Sequence, residues 1–397
     1  MRDVLVVGGG AVGLALADRL LAAGLDVAVW ERRDAPEAGD EGAGHSRAIG
    51  LHAPALEVLD PVLARTIASE AVHVRHGVAR TRAGVLGVVP FDGVSRRFPY
   101  VATLPQSRTE HLLRAHVRRG HPGVVAFGTA VVAVEPTRSG VRVAGERRSR
   151  DGGSAAPVVE TARFVVAADG ARSAVRDLVG IEAPVHTYAD TYLMGDVADS
   201  TGAGDDAVIH LEPGGVVESF PLPGGVRRWV VHTGPAAGPH LEASPELLAA
   251  LVRERTGEAV DPATTSMLSA FAVRRRLAPR TVAGRVVLLG DAAHEISPIG
   301  GQGMNLGWLD GARLAPVLVA AVQGRTDAAG TARALAAYDV DRRRRARWAA
   351  RQAELNMSLG RPVSGTRAVV RDSALTAALR TPLRRGLASV YAMRHMR

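Results

Sequence analysis

The sequence predicts an α/β protein with a doubly wound parallel sheet, an antiparallel sheet inserted into it and a helical C-terminal region. Three observations support this prediction. The chain opens on a strand, a glycine-rich turn, a helix and a second strand, and buried strands of the same kind recur near residues 165 and 287. Between residues 187 and 233 the pattern changes to short strands separated by Gly-Gly and Pro-Gly turns. Alternating strands and helices are typical of a parallel sheet, whereas closely spaced short strands are typical of an antiparallel one.

The opening unit is Rossmann-like. Hydrophobic periodicity predicts a strand over Asp3–Val7, a helix over Ala11–Ala23 and a second strand over Asp26–Trp30. Further strands are predicted over Arg163–Ala167 and Arg285–Leu289. The parallel sheet is therefore expected to be discontinuous in sequence, with a nucleotide site at its first turn.

The turn after the first strand has the GxGxxG spacing that binds a dinucleotide. Gly8 permits the tight turn, Gly10 lets the backbone approach a pyrophosphate, and Gly13 allows close helix packing. The helix N-terminus adds free N–H groups and a partial positive charge, and an acid at the end of the second strand can hold ribose hydroxyls. The alternative is a glycine turn without a ligand. The predicted contacts are Gly8, Gly10, Ala11, Val12, Gly13, Glu31 and Arg32.

The inserted sheet and the C-terminal region complete the predicted organisation. Strands are predicted over Ala207–Leu211, Val216–Phe220 and Arg228–Val231. After residue 300 the chain is rich in Ala, Leu and Arg, and its predicted helices break near Gly324, Gly330, Gly360–Gly365 and Pro382. The predicted division is a nucleotide domain of residues 1–72, 101–180 and 281–335, a substrate domain of residues 73–100 and 181–280, and a helical region of residues 336–397.

Composition excludes several classes of chemistry. The 397 residues include no Cys and no Lys, which excludes disulfides, thiolate metal sites and mechanisms built on a lysine, and no metal site is expected. A cytoplasmic location is expected, because a strand begins at residue 3 and leaves no room for a signal peptide. The apolar stretch Ala312–Val322 falls short of the roughly 18 residues that a membrane span needs.

The basic charge of the protein belongs to its C-terminal region. The net charge is +9, and residues 341–397 hold 14 Arg against three acidic residues. Leu335, Tyr338, Ala346 and Ala350 have near-helical spacing, so one face of a helix can pack while the Arg side chains stay in water. We therefore expect a helical cap with a solvated basic face and no nucleic-acid partner.

Three separated runs carry further chemistry. Ala168–Arg176 has an Asp-Gly pair after a strand, Leu289–His294 has a Gly-Asp pair, and Ser297–Asn305 is a glycine-rich loop that opens a helix. The last run aims N–H groups and a helix dipole at an anion, and no strand is predicted before it. At these points, over roughly residues 3–350, the sequence resembles the aromatic hydroxylase group of single-component, FAD-dependent monooxygenases (group A).

The resemblance implies roles for individual residues. Asp169 would serve both FAD and the passing nicotinamide cofactor, and Asp291 would hold the ribityl chain of FAD. Arg47 and Gln106 match cofactor-contacting positions, although each taken singly would more often be a surface residue. The start of the last helix would face the pyrimidine edge of the flavin ring, where charge accumulates on reduction. Its implied contacts are Pro298, Gly301, Gly303, Met304 and Asn305.

The resemblance also implies a reaction. FAD would be bound noncovalently, since no Cys is available for a thioether, and NADPH or NADH would reduce it. Reduced flavin and O2 would form a C4a-hydroperoxide that hydroxylates or epoxidises an aromatic or polycyclic substrate. A role in secondary metabolism or antibiotic inactivation would fit. The alternative is a flavoprotein dehydrogenase, reductase or redox-sensing module without oxygen transfer. Disulfide reductases need a cysteine pair and are excluded, and flavin halogenases carry a functional lysine, so the absence of Lys strongly disfavours halogenation.

Catalytic and substrate residues are harder to name from the sequence. No side chain is obliged to be an acid or a base, so the backbone of Pro298 is the sole catalytic candidate, and we expect His294 to make a structural hydrogen bond. Met194, His210, Phe220 and Trp229 lie on inserted strands and could line a cavity for a lipophilic ring substrate. The alternative for these four is plain sheet packing. The protein is expected to be a monomer or a homodimer.

Overall fold

The computed structural model describes residues 1–36, 48–149, 154–234 and 242–396. The strands of the first half are β1 (Arg2–Val7), β2 (Val27–Trp30), β3 (Gly50–Leu51), β4 (Val72–Val74), β5 (His76–Thr81), β6 (Gly84–Pro90), β7 (Val101–Thr103), β8 (Val125–Ala126), β9 (Thr129–Pro136), β10 (Val141–Arg147) and β11 (Ala156–Ala167). Those of the second half are β12 (Val185–Ala198), β13 (Ala207–His210), β14 (Val217–Leu222), β15 (Val226–His232), β16 (Met267–Leu277), β17 (Val282–Ala283), β18 (Val286–Leu288) and β19 (His294–Glu295). The helices are α1 (Ala11–Ala22), α2 (Ala53–Glu57), α3 (Pro61–Glu70), α4 (Gln106–Gly120), α5 (Ala174–Leu178), α6 (Pro245–Thr256), α7 (Gly303–Val322), α8 (Ala328–Gly360), α9 (Gly365–Arg380) and α10 (Leu383–Tyr391).

The first sheet confirms the predicted parallel core. Its order is β17-β18-β11-β1-β2-β8, and β1 pairs in parallel with both β2 and β11. Val4, Leu5 and Val6 are fully buried because helices and loops cover both faces of a parallel sheet. One face carries α1 and α7, whose Leu16 and Leu314 share a core cluster. The carboxyl ends of β1 and β11 therefore meet beside the start of α1.

The second sheet departs from the predicted antiparallel arrangement at one pair. Its order is β19-β16-β12-β15-β14-β13-β5-β6, and β13 pairs with β5 in parallel. More than 100 residues separate these two strands, and a connection of that length allows either direction, whereas the tight turns around β14 force antiparallel pairing. β19 is a second difference. This two-residue strand pairs with β16 and lies just before the glycine-rich loop, where no strand is predicted.

The C-terminal helices largely follow the prediction. Leu335, Tyr338, Ala346 and Ala350 are all buried on one face of α8. The break predicted at Gly330 is wrong, because Asp327 caps α8 and accepts a hydrogen bond of 2.6 Å from the Gly330 N–H, which places this glycine in the first turn. None of the helices in the described ranges is long and apolar enough to cross a membrane.

One arginine of α8 contradicts the expectation that these side chains stay in water. Arg342 is fully buried and donates to Asp310 of α7 at 3.0 Å. Asp310 also pairs with His294, which is buried at the start of β19. This cluster of Arg342, Asp310 and His294 joins α8, α7 and β19, so His294 has the structural hydrogen bond that the sequence predicts for it.

Candidate functional site

A cavity of about 1390 Å³ runs from the first glycine turn to the second sheet. Pockets for a single small ligand usually measure roughly 300–1,000 Å³, so this cavity has room for more than one molecule. We call the part beside β1, β2 and β11 the nucleotide end. The part between the second sheet and helices α8, α9 and α10 is called the chamber. The loop at residues 298–304 lies between the two parts.

The first glycine turn is shaped to approach a ligand with its backbone. Gly8 has φ +109°, and a Cβ there would overlap the carbonyl oxygen of Ala168. A Cβ at Gly13 would overlap the carbonyl oxygen of Gly8, so glycine at this position keeps α1 against the turn. At Gly10 the nearest atom to a Cβ would be the Glu110 Oε1, 3.7 Å away. Gly10 therefore has open space that belongs to the cavity.

The start of α1 offers unpaired N–H groups to the same space. Its N-cap is Gly10, which provides no side-chain cap, and the first intrahelical bond runs from the Leu14 N–H to the Gly10 carbonyl. Ala11 and Val12 line the cavity. Trp308 of α7 donates to the Ala11 carbonyl at 3.0 Å and fixes α1 against α7. An anion at this helix N-terminus would find both donors and a favourable dipole.

Glu31 is already held by its surroundings. Its carboxylate accepts hydrogen bonds from the Gly9 N–H at 2.7 Å and from the Arg33 N–H at 2.8 Å, and Arg33 Nε lies at 3.1 Å. Burial alone would raise the pKa of Glu31, but the bonds from Arg33 and Gly9 outweigh it and the pKa is lowered. Glu31 therefore stays ionised, and lone pairs remain for ribose hydroxyls at the cavity surface.

A polar group from α4 lies opposite Glu31. Gln106 begins α4 and lines the cavity, and its amide donates to Glu110 at 2.9 Å. Glu110 also lies 3.6 Å from Arg33. The sequence analysis did not predict Arg33 or Glu110 as site residues. The four-residue spacing from Gln106 to Glu110 on a helix is the one signal that could have indicated Glu110. Arg47, the other predicted contact in this region, lies outside the described residues.

Asp169 follows β11 and lines the cavity, and one of its two carboxylate oxygens is unpaired among the described residues. Its Oδ2 accepts from the Val175 N–H at 3.2 Å, whereas Oδ1 is buried and has no hydrogen-bond partner in the described part of the chain. Burial raises the pKa of Asp169, partly offset by hydrogen bonds from Ser173 and Val175. A ligand hydroxyl at Oδ1 would satisfy this oxygen.

Asp291 lies deeper, next to the start of α7. Asp291 lines the cavity with an exposed side chain, and desolvation by the surrounding protein raises the pKa of its carboxyl group. Across the residues that the structure describes, no hydrogen bond is made to this carboxylate. Gly303 begins α7, and its N-cap Gln302 supplies no side-chain cap, so the first turn of α7 has no side-chain cap within the described ranges. Asp291 and this helix start thus form an acceptor and a set of donors about one cavity wall.

Two predicted contacts lie behind the cavity wall. Gly13 packs against the turn, and Asn305 is fully buried with its side chain bound to backbone. Asn305 Nδ2 donates to the Gly50 and Gly301 carbonyls at 2.8 and 2.7 Å, and its Oδ1 accepts from the His52 N–H at 2.8 Å. The predicted residues that do line the cavity are Gly8, Gly10, Ala11, Val12, Glu31, Arg32, Gln106, Asp169, Asp291, Pro298, Gly301, Gly303 and Met304.

The four residues predicted to line the substrate side fall on two faces of the second sheet. Met194 and Phe220 line the chamber, whereas His210 and Trp229 border a separate pocket of about 270 Å³. This corrects the expectation for His210 and Trp229. Side chains alternate along a strand, and the register pairs Ser219 with Trp229, one step away from the cavity-facing residues. A one-residue difference thus decides which face each side chain occupies.

Several chamber residues escaped the sequence analysis. His52 is buried at the wall, with both ring nitrogens lacking a hydrogen-bond partner within the described ranges, and burial lowers its pKa to about 4. Glu218 lines the chamber from β14, and Leu379 and Tyr391 line it from α9 and α10. No local pattern marks these residues, because tertiary packing alone brings the helices over the sheet.

The fold and this site define a dinucleotide-binding protein of the doubly wound class, with a second compartment beside the ligand. Comparison with known proteins sharpens that definition. Residues 1–353 match the family model described as "FAD binding domain". The chain belongs to this family of FAD-binding proteins, and FAD is its cofactor.

Two curated relatives and one solved structure illustrate the similarity. The 12-dehydrotetracycline 5-monooxygenase/anhydrotetracycline 6-monooxygenase of Streptomyces rimosus is 32% identical over 345 residues, covering 81% of this chain and 63% of the relative. The rifampicin monooxygenase of Streptomyces venezuelae is 33% identical over 342 residues, covering 82% and 65%. The chain thus spans less than two thirds of these relatives. The crystal structure of p-nitrophenol 4-monooxygenase from Pseudomonas putida superposes with TM-score 0.84 at 25% identity, covering 98% of this chain and 97% of that one.

The donors and acceptors of the cavity fit FAD. Two helix N-termini without side-chain caps suit phosphate and an electron-rich ring edge, and Gly10 leaves room for close backbone approach. The buried, unpaired Oδ1 of Asp169 and the carboxylate of Asp291 suit sugar and ribityl hydroxyls. The site therefore has donors for phosphate at the two helix starts and acceptors for hydroxyl groups at Asp169 and Asp291.

Proposed function

We propose that this protein is an NADPH- or NADH-consuming monooxygenase that hydroxylates or epoxidises an aromatic or polycyclic small molecule. A role in secondary metabolism or antibiotic inactivation is part of the proposal. The names of the two Streptomyces relatives support it, because both are monooxygenases of tetracycline-type or rifampicin substrates. The solved relative, a nitrophenol monooxygenase of almost equal length, supports oxygen transfer to a ring by a chain of this size.

The proposal assigns FAD to the nucleotide end. The turn and start of α1 would bind the pyrophosphate, Glu31 the adenosine ribose, and Asp291 the ribityl chain. Gln106 and Asp169 would border the flavin, and the start of α7 would stabilise negative charge at its ring edge. The full set of proposed contacts is Gly8, Gly10, Ala11, Val12, Gly13, Glu31, Arg32, Arg47, Gln106, Asp169, Asp291, Pro298, Gly301, Gly303, Met304 and Asn305.

The observation that carries the proposal is the continuity of the cavity. Its walls pass from the nucleotide end, across the loop at residues 298–304, into a chamber lined by Met194, Phe220 and Val230 on the sheet and by Leu379 on α9. FAD, when bound and reduced by a nicotinamide cofactor, supplies the oxygen activation. The chain positions a ring substrate in the chamber and keeps water away from it, which are the tasks that oxygen transfer leaves to the protein. No side chain is assigned as acid or base; the Pro298 backbone remains the proposed contact nearest the reacting centre.

The division of the chain follows the same proposal. Residues 1–72, 101–180 and 281–335 would form the FAD domain, residues 73–100 and 181–280 the substrate domain, and residues 336–397 the helical cover of the chamber. The composition of the sheets supports this division: every strand of the first sheet comes from the first set, and every strand of the second sheet except β19 comes from the second. The proposal also includes a cytoplasmic enzyme that works as a monomer or homodimer without nucleic acid.

Isotope labelling tests the proposal. The FAD-loaded protein would be incubated with NADPH or NADH, oxygen-18 gas and a panel containing anhydrotetracycline, rifampicin and p-nitrophenol. We expect one panel member to accelerate nicotinamide oxidation and to gain one labelled oxygen atom by mass spectrometry. Accelerated oxidation that gives only unlabelled or dehydrogenated product would instead identify a flavoprotein dehydrogenase or reductase.

A further inference from the structure

Glu218 is a carboxyl group in an apolar part of the chamber. It faces the cavity from β14, where its in-register neighbours are Ile209 on β13 and Val230 on β15. Two residues away along β14, on the same face, stand Val216 and Phe220. All four neighbours are apolar, so the Glu218 carboxyl is a single polar group surrounded by apolar side chains on this face of the sheet.

No partner for this carboxyl exists in the part of the chain that the structure describes. It makes no hydrogen bond or ion pair there, and Arg228, a cation that lines the same cavity from β15, is bound in a fork to Asp196 at 2.6 and 2.7 Å. Burial raises the pKa of Glu218 to about 7, and no positive charge opposes this effect. An acceptor without a partner in such surroundings is costly to the protein.

The groups that face Glu218 from the neighbouring elements are tyrosines. Burial raises the pKa of Tyr192 on β12 and of Tyr391 on α10, and the charge of Glu218 adds to both shifts. The Tyr192 hydroxyl is buried and makes no hydrogen bond within the described ranges. Neither tyrosine ionises near neutral pH, so Glu218 is the one group of this set that titrates there.

We propose that Glu218 is a specificity-determining residue that accepts a hydrogen bond from a hydroxyl group of the ring substrate. The substrate class is then neutral phenols and fused-ring phenols: an apolar ring system that fills the patch, with one O–H group directed at β14. A carboxylated ring is disfavoured, because its negative charge would meet that of Glu218 without an intervening cation. The inference rests on the proposed function insofar as it takes the chamber as the substrate site.

The consequence is a preference that can be measured by binding alone. The probes are 2-naphthol and 2-methoxynaphthalene, which have the same rings and differ in the hydrogen-bond donor. Each is titrated into the oxidised, FAD-loaded protein without nicotinamide cofactor, and binding is followed by the change in flavin absorbance. At pH 8 we expect the naphthol to bind about 10- to 100-fold more tightly than the ether, the range of a charge-assisted hydrogen bond.

Two variants and a pH series identify Glu218 as the cause. E218Q should lose most of the preference for the naphthol and keep the affinity for the ether. E212Q, a change in another buried carboxyl, in the turn between β13 and β14, that does not line the cavity, should keep the preference. In the unaltered protein the naphthol affinity should rise about 3- to 10-fold from pH 6 to pH 8, because Glu218 ionises in this range. The probe itself does not change, since the naphthol hydroxyl, like that of tyrosine, keeps its proton to about pH 10.

The outcomes separate this inference from the proposed function. Equal affinities for the two probes, binding of neither, or a flat pH series in the unaltered protein would overturn the role of Glu218, and these results do not depend on the folding of any variant. A naphthol preference that E218Q removes would support it even in a protein that transfers no labelled oxygen. Conversely, labelled product without a hydroxyl preference would retain the monooxygenase and reject Glu218 as its selector.

Discussion

Glu31 at the nucleotide end and Glu218 in the chamber differ in how their charges are compensated. At the nucleotide end, Glu31 accepts bonds from Gly9 and Arg33, and its pKa is lowered. In the chamber, Glu218 has no partner among the described residues, and its pKa is raised to about 7. Glu31 is held in place by the chain itself, whereas Glu218, like Asp169 and Asp291 at the nucleotide end, leaves an acceptor open for a ligand. The difference indicates that the surroundings of Glu31 are built before its ligand arrives, and that the surroundings of Glu218 are completed by the substrate.

The largest expected effect concerns the cluster that holds the two ends together. Asp310 is buried between His294 and Arg342, so D310A removes the carboxylate partner of a buried His and one of the two carboxylate partners of a buried Arg, whose other partner is Asp341. We expect a cost of about 3–5 kcal/mol of unfolding free energy. Burial alone would lower the pKa of His294, but Asp310 outweighs it and the pKa is raised. The stability that protonated His294 contributes is complete below its unfolded pKa of about 6.5. It is lost as the pH rises through the pKa of His294 in the folded protein.

Urea denaturation of the FAD-free protein and of D310A at pH 6 and pH 9 measures this effect. The difference in unfolding free energy between the unaltered protein and D310A should be larger at pH 6 than at pH 9. D26A provides the control, because Asp26 pairs with Arg2 at the exposed surface and should cost less. Equal losses in the two variants would show that the buried cluster does not join the ends.

The second effect distinguishes the two functions of glycine at the nucleotide end. A Cβ at position 13 overlaps the Gly8 carbonyl, so G13A should destabilise the FAD-free protein and also weaken FAD binding. A Cβ at position 10 meets nothing closer than 3.7 Å, so G10A should leave the FAD-free protein unchanged and weaken FAD binding alone. Thermal melting and FAD fluorescence titration measure the two quantities. If G10A binds FAD normally, no pyrophosphate approaches this backbone.

The third effect is that of D291N, which should change FAD affinity and folding stability in opposite directions. Replacement by Asn removes a charged acceptor for the ribityl hydroxyls and should weaken FAD binding by about 1.5–3 kcal/mol. Because burial raises the pKa of Asp291, the carboxylate destabilises the FAD-free fold as the pH rises above its unfolded value of about 4. D291N should therefore melt higher than the unaltered protein without FAD at pH 8. Unchanged FAD affinity would show that this acceptor lies elsewhere.

The smallest expected effect is on folding stability at Glu218. Its contribution to stability depends on pH in the opposite sense to that of Glu31, because the pKa of Glu218 is raised and that of Glu31 is lowered. The raised pKa of Glu218 means that folded protein binds the extra proton between about pH 4.5 and pH 7, so stability falls as the pH rises through this window. E218Q should recover on the order of 1–2 kcal/mol at pH 8 and almost nothing at pH 4.5. Thermal melting at the two pH values measures it, and a variant that is less stable at pH 8 would contradict the absence of a partner.

Sequence reasoning found the nucleotide end because its chemistry is local. The spacing of Gly8, Gly10 and Gly13, between a buried strand and an amphipathic helix, predicts both the turn and its ligand. The parallel order of β1, β2 and β11 follows from the same alternation of strands and helices. Family resemblance added Asp169, Asp291 and the loop at residues 298–305, since each of these runs is itself a short local pattern.

The chamber was decided by the tertiary structure. The sequence by itself determined that strands β13, β14 and β15 exist, but not which face meets the cavity, because a shift of one residue exchanges the faces and no local signal sets that register. Met194 and Phe220 therefore lie in the chamber, and His210 and Trp229 do not. The pairing of β5 with β13, the burial of Arg342 and the closure by α9 and α10 all join residues far apart in sequence. Spacing along a chain determines local geometry, whereas the apolar surroundings of Glu218 depend on which distant surfaces pack together.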